Sequence, residues 1–286
     1  MLPDETKSAS PANGEQVKIY LLPNLFTAGN LACGFFALTW IFKYVELKKP
    51  ESIDNAVYLI LAAFAFDFLD GRVARVTKKE SPFGREFDSL ADIVSFGVAP
   101  AFLVYSIILG DFPRTGWIVA AVYLVCGGIR LARFNVLSTI GSSAAKHEFI
   151  GLPIPSAAAL VVSVTLLVRQ LAQQLEQNNV IIPHSTPEHP FGPWRFALPA
   201  LMLLVAGVMV SNVRYPTFKQ VEWTARKSVA AFAGVVVAGL LFFYYPQITF
   251  AFLFVAYLIY GLVRPWVSKS WRREIEEDES DDADVA

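Results

Sequence analysis

Charged residues are scarce in this 286-residue chain. Asp, Glu, Lys and Arg make up 17%, against about 25% in an ordinary soluble domain. Cysteine is nearly absent. Cys33 and Cys126 both lie in apolar runs, which excludes a disulfide framework and a cysteine zinc site. Neither sign of charge is in excess: 24 basic and 25 acidic residues leave a net −1. That balance argues against a basic nucleic-acid binder, and no nucleic-acid partner is expected. Extended polar or low-complexity sequence is also missing outside the ends, which excludes a disordered protein and a coiled coil. What is abundant is apolar. Hydrophobic residues reach 55%, more than the core of one soluble domain could hide. The natural solvent for such a chain is a lipid bilayer.

Apolar stretches of about 20 residues, enough to cross a hydrocarbon core, recur along the chain. Eight are expected, at about 24–45, 56–75, 88–110, 115–135, 153–172, 194–212, 227–245 and 247–264. The last two are separated only by Pro246 and could form one re-entrant pair. All should be helices, because lipid offers no partner to an open backbone. The predicted fold is therefore an all-α integral membrane protein. Residues 1–18 read as a flexible polar tail, 19–266 as the transmembrane catalytic domain, and 267–286 as an acidic, disordered tail. With eight spans, roughly three quarters of the 24 Lys and Arg fall on the side of both termini. The positive-inside rule then puts both termini in the cytoplasm. Eight acids lie in the thirteen residues from Glu274. Without them the chain has 24 basic residues against 17 acidic ones, a net +7 concentrated on the cytoplasmic side. That side suits anionic lipid headgroups.

Four acids interrupt the apolar pattern at the ends of spans two and three: Asp67 and Asp70 in FAFDFLDGRVAR, Asp88 and Asp92 in FDSLADIVSFG. An ionisable group at membrane depth costs a few kcal/mol or more, so it needs a partner or a task. On helices, Asp67 and Asp70 share a face (i, i+3), as do Asp88 and Asp92 (i, i+4). A short loop can bring all four together, where they repel one another unless a cation is present. Hard oxygen ligands suit Mg²⁺, Mn²⁺ or Ca²⁺, and two bridged ions would fit phosphoryl transfer. The plainer alternative is an ion network with Arg72, Arg75 and Arg85. Gly71 and Ala74 leave room for a ligand or a second backbone. In the first span Asn24, Thr27, Asn30 and Gly34 fall within an arc of about 120°, which suggests a polar-lined cavity or interhelical hydrogen bonds.

The spacing Asp67-x-x-Asp70-Gly71-x-x-Ala74-Arg75, eight residues, Gly84, three residues, Asp88, three residues, Asp92 resembles the signature of the CDP-alcohol phosphotransferase family. The resemblance implies a six-helix core, here about 19–213, with two additional helices at about 227–264, and often a homodimer. It implies divalent metal, two Mg²⁺ or Mn²⁺, at Asp67, Asp70, Asp88 and Asp92. Asp92 would also serve as general base, and Gly71, Ala74, Arg75 and Gly84 would contact the CDP moiety. The reaction it implies moves a phosphatidyl group from a CDP-linked lipid to an alcohol and releases CMP, in the cell membrane and on the cytoplasmic side. The opening LLPNLFTAGN, with Asn24 and Thr27 as further cytidine contacts, and the blocks SFGVAPAF, GGIRLARFNV, FIGLPIPSAAA and SNVRYPTFK resemble the serine-accepting branch. Its substrates would be CDP-diacylglycerol and L-serine. Arg130 and Arg133 (i, i+3) could then bind the serine carboxylate or a lipid phosphate, since arginine grips such anions bidentately. Another acceptor, such as glycerol phosphate or inositol phosphate, stays open. So does a cation or proton-coupled transporter, although the acids cluster at one membrane face and no ionisable chain continues across spans five to eight.

Overall fold

The computed structural model describes residues 21–77, 81–112, 114–140, 148–177, 194–216 and 246–267. Helices dominate: α1 (Leu21–Leu47), α2 (Pro50–Thr77), α3 (Pro82–Ile107), α4 (Thr115–Ile140), α5 (Ile154–Gln177), α6 (Trp194–Val210) and α7 (Pro246–Val267). The first five are long and apolar enough to cross a membrane, while Phe196–Val210 and Ile248–Val263 are shorter apolar stretches. The protein is an all-α membrane protein, as its composition requires. The span expected at 227–245 lies outside the described residues, as do both tails.

Burial follows the logic of a bilayer. Leu25, Phe35, Phe42, Ile118, Val125 and Phe252 are exposed, a surface that would associate in water and that lipid solvates. Small residues bring the helices together inside. Ala37, Ala56, Ala63, Ala99, Ala157 and Ala158 are fully buried, as expected where close backbone approach replaces a hydrophobic driving force. α5 lies at the centre. Its Ala157–Val161 run joins Phe96, Tyr123, Met202, Val205 and Phe254 in one core cluster. Its Val162 and Leu166 join Ile41 of α1, Ile53 and Ile60 of α2 and Leu103 of α3 in a second. Phe254 and Leu258 tie the last helix into the first cluster.

α3 carries most of the local detail. It begins at Pro82, six residues before the expected start of that span, because Ser81 caps it. The Ser81 hydroxyl accepts from the Gly84 amide at 3.0 Å, and Pro82 suits the first helical position. After Asp92 the helix widens into a π-helical turn, Ile93–Val98, then resumes at Ala99. Pro100 gives the physical reason. It has no amide to return to Phe96, four residues earlier. The Phe96 carbonyl instead accepts from the buried Tyr123 hydroxyl of α4 at 2.9 Å.

One feature departs from the purely helical reading. Residues expected in two separate loops pair as a short antiparallel ribbon, β1 (Glu148–Ile150) with β2 (Arg214–Pro216), Phe149 opposite Tyr215. Gly151 closes it. Its φ of +77° suits glycine, its amide donates to the Val213 carbonyl at 2.7 Å, and a Cβ there would lie 2.2 Å from the Met209 carbonyl oxygen.

Candidate active site

The site forms where α2 gives way to α3, with α1 packed across both. Asp67 and Asp70 lie in the second half of α2. Asp88 and Asp92 lie in the first half of α3, two and three turns beyond the Ser81 cap. One carboxylate oxygen each from Asp67, Asp88 and Asp92 lie within 4.8 Å of one another. At that separation and an effective dielectric of about 20, each like-charged pair costs about 3 kcal/mol. Three such pairs are not tolerable without compensation. Among the described residues, neither Arg72 nor Arg85 forms an ion pair with them; Arg72 instead lies over the Phe68 ring, 5.2 Å from its centroid.

Asp70 stands slightly apart. It accepts a hydrogen bond from the Thr27 hydroxyl of α1. Its other oxygen, and Oδ1 of Asp88, are buried without a hydrogen-bond partner among the described residues. Buried carboxylate oxygens left open are costly. Converging hard oxygen donors with open positions fit a divalent cation, so the donor set agrees with the metal expected from the spacing. The structure brings three of the four aspartates together and places the fourth beside them.

The other expected residues divide. Gly84 lies against Asn24, so that a Cβ on Gly84 would be 3.2 Å from the Asn24 side-chain oxygen. The Asn24 amide nitrogen is buried without a partner among the described residues. Gly71 is exposed on the turn beside Asp70. Ala74 and Arg75 continue α2, and their side chains fall outside the described residues. Arg130 is buried. It lies over Phe134 at 5.3 Å, within electrostatic reach of Asp92, Asp67 and Tyr257. Arg133 turns away from the carboxylates. It donates to Asn212 Oδ1 at 2.8 Å and to the Val210 carbonyl at 3.5 Å, binding the end of α6. One face of α4 therefore sends its two arginines to different places.

Two arrangements were not foreseen. Asn30 of α1 reaches Asp92 itself, donating from Nδ2 to Oδ1 at 3.1 Å. Its place on the polar arc of α1 was visible, but its partner, 62 residues on, was not. At the other end of α2, Asp54 accepts from Arg169 of α5 at 2.7 and 3.1 Å. Asp54 was overlooked because α2 starts six residues earlier than the apolar run does.

A family model described as CDP-alcohol phosphatidyltransferase matches residues 20–187, which takes in α1 to α5 and the whole aspartate cluster. Among curated proteins, the CDP-diacylglycerol–serine O-phosphatidyltransferase of Helicobacter pylori (strain J99) is 37% identical over 249 residues, covering 87% of this chain and 92% of its own. The protein of the same description from Saccharomyces cerevisiae is 40% identical over 141 residues, 48% of this chain and 50% of its own. That of Bacillus subtilis is 38% identical over 141 residues, 49% and 73% respectively.

Proposed function

The chain belongs to the CDP-alcohol phosphatidyltransferase family, and from that membership we propose that it transfers the phosphatidyl group of CDP-diacylglycerol to the hydroxyl of L-serine, giving phosphatidylserine and CMP. It is a transferase of phospholipid biosynthesis; the serine acceptor is the finer reading, supported by relatives of that description. The observation that carries the chemistry is the convergence of Asp67, Asp88 and Asp92 within 4.8 Å, with Asp70 beside them.

Asp67, Asp70, Asp88 and Asp92 would hold two Mg²⁺ or Mn²⁺ ions. When bound, such ions neutralise the pyrophosphate of the donor and stabilise CMP as it leaves. The protein's own residues do the rest. Asn24, Thr27, Gly71, Ala74, Arg75 and Gly84 cradle the CDP moiety; the glycines leave room for it, and Arg75 adds positive charge. Arg130 receives the serine carboxylate, since a buried guanidinium is a strong anion partner. Asp92 accepts the proton of the serine hydroxyl as its oxygen attacks the phosphatidyl phosphorus. A new P–O bond forms to serine, the P–O bond to the bridging oxygen breaks, and CMP departs with that electron pair. A base must lie beside the cation site and reach beyond it, and Asp92, one turn deeper than Asp88, suits that role. The excess of basic residues at the site end supports an active site open to the cytoplasm at the cell membrane. The family resemblance supports a homodimer.

The test is an acceptor screen. Protein purified in detergent should release CMP from CDP-diacylglycerol only when L-serine and Mg²⁺ or Mn²⁺ are both supplied, and chelation should abolish release. Release with glycerol 3-phosphate or inositol phosphate in place of serine would move the chain to another branch. Metal uptake into proteoliposomes without any CDP-lipid would favour a transporter instead.

A further inference from the structure

We propose that Asn30 is a positioning residue of the reaction: it holds Oδ1 of Asp92 and thereby sets the plane in which that carboxylate meets the acceptor hydroxyl. The proposal rests on the reading of Asp92 as the base. Asn30 is fully buried on the polar arc of α1, where an amide costs a few kcal/mol unless it is bonded. Its Nδ2 lies 3.1 Å from Asp92 Oδ1. An ionised carboxylate can only accept, so the amide orientation is imposed by Asp92. The Asn30 Oδ1 at the other end of that amide is buried with no partner among the described residues. An asparagine present only to join two helices would use both ends; this one uses the end that faces Asp92.

The backbone around Asn30 is anchored to the same stretch of α3. Ser95, one turn beyond Asp92 and within the π-helical turn, donates from its hydroxyl to the Asn30 carbonyl at 2.9 Å. α1 and α3 are therefore tied twice, once in each direction, around the Asp92 carboxylate. Gly34, one turn beyond Asn30, makes this approach possible. A Cβ there would lie 2.3 Å from Ser95 Oγ and 2.8 Å from Ser95 Cα. The second distance is to backbone, so no rotamer change would relieve it. The π-helical turn also has a fixed register, since the Phe96 carbonyl is held by Tyr123. Asp92 thus projects from a rigid segment against a rigid neighbour, which is what a catalytic carboxylate requires.

The experiment compares Asn30→Leu, close to isosteric but without a donor, with Asn30→Gln, which keeps the donor on a longer stem. In CMP-release assays Asn30→Leu should hold KM for CDP-diacylglycerol within about twofold while kcat falls about 10- to 100-fold. Asn30→Gln should recover part of that loss. The difference infrared spectrum of Asn30→Leu against wild type should contain a shifted carboxylate band that vanishes when both proteins carry Asp92→Asn. Wild-type kcat in Asn30→Leu, or parallel losses in kcat and KM with Asn30→Gln no better than Asn30→Leu, would overturn the proposal. If Asn30→Leu fails to fold, Ser95→Ala decides: a several-fold fall in kcat at unchanged donor KM supports the role, and an unchanged kcat overturns it. Failure of the underlying reading looks different, because Asp92→Asn would then keep its turnover whatever Asn30 does.

Discussion

α2 carries a charge cluster towards each end, and the two are built on opposite terms. At one end Asp54 meets Arg169 with two hydrogen bonds of 2.7 and 3.1 Å. One negative and one positive charge cancel, and both carboxylate oxygens have a partner. About 20 Å along the same helix, from a rise of 1.5 Å per residue, Asp67 meets Asp88 and Asp92 within 4.8 Å, with Asp70 adjacent. There, among the described residues, the negative charges outnumber the nearby Arg130, and two carboxylate oxygens have no partner. A cluster closed on itself ties α2 to α5 and asks for nothing further. A cluster with surplus charge and open oxygens is complete only with a ligand. Both contain acids at least partly withdrawn from solvent, so the presence of such acids is a weaker signal of function than whether their charge and hydrogen bonds close.

The largest expected effect breaks the open cluster. Asp92→Asn keeps the size of the side chain and removes its ability to take a proton. Turnover should fall by about 10²- to 10⁴-fold, the usual contribution of a general base. KM for CDP-diacylglycerol should change far less, because the residues proposed to contact the donor lie on α1, α2 and the start of α3. CMP release at saturating donor and serine measures both. Turnover at the wild-type rate would sink the role assigned to Asp92.

At the closed cluster the expected loss is one of stability. Arg169→Met leaves Asp54 without its partner. Breaking a fully buried pair costs about 3–5 kcal/mol, but the Asp54 side chain is 38% exposed, so water offsets part of it. A loss of about 1–3 kcal/mol is expected, read as a lower midpoint of thermal unfolding in detergent, with kcat per folded molecule unchanged. A fall in kcat without a fall in stability would mean that the two ends of α2 are coupled and that the contrast between them is wrong.

The two clusters also differ in how far they could be read from the residues alone. Aspartates at i, i+3 and i, i+4 in apolar helices keep their spacing wherever the helices end, so the open cluster was legible before any coordinates. Asp54 was not, because the first two turns of α2, with Glu51, Ser52, Asp54 and Asn55, do not resemble a membrane span. The Ser81 cap was similarly hidden in a polar connection, and α3 proved longer than its apolar core. Contacts across large sequence separations were the least legible. Nothing local says that Asn30 faces Asp92, or that three residues near 149 pair with three near 215. Arg130 and Arg133 show the limit of helical periodicity: it puts them on one face, but neighbouring helices decide that one turns to the carboxylates and the other to the end of α6. The last helix shares the core through Phe254 and Leu258, a contact that no motif in it announces.

A smaller effect should come from the link between α1 and Asp70. Thr27→Val preserves shape and removes the hydroxyl that donates to Asp70. A hydrogen bond to a charged group contributes about 1.5–3 kcal/mol. With the carboxylate still able to recruit water or a cation, the lower figure applies, and kcat/KM for the donor should fall about tenfold. An unchanged kcat/KM would show that Asp70 is held well enough without α1.

The smallest expected effect sharpens the comparison most. Replacing both members of the closed pair, Asp54→Leu with Arg169→Met, removes two charges together and leaves no orphan. Buried ion pairs replaced by apolar groups of similar volume are often neutral or mildly stabilising, and Arg169, the larger member of this pair, is buried. The double variant should therefore unfold within a degree or two of wild type, well above Arg169→Met alone, with full turnover. No such pairwise replacement should be silent at the other end: Asp67→Leu with Asp88→Leu also removes like-charge repulsion, yet it should abolish turnover even if the protein becomes more stable. If the closed pair instead proved as intolerant of double replacement as the open cluster, closure of charge and hydrogen bonds would no longer separate scaffold from site in this bundle.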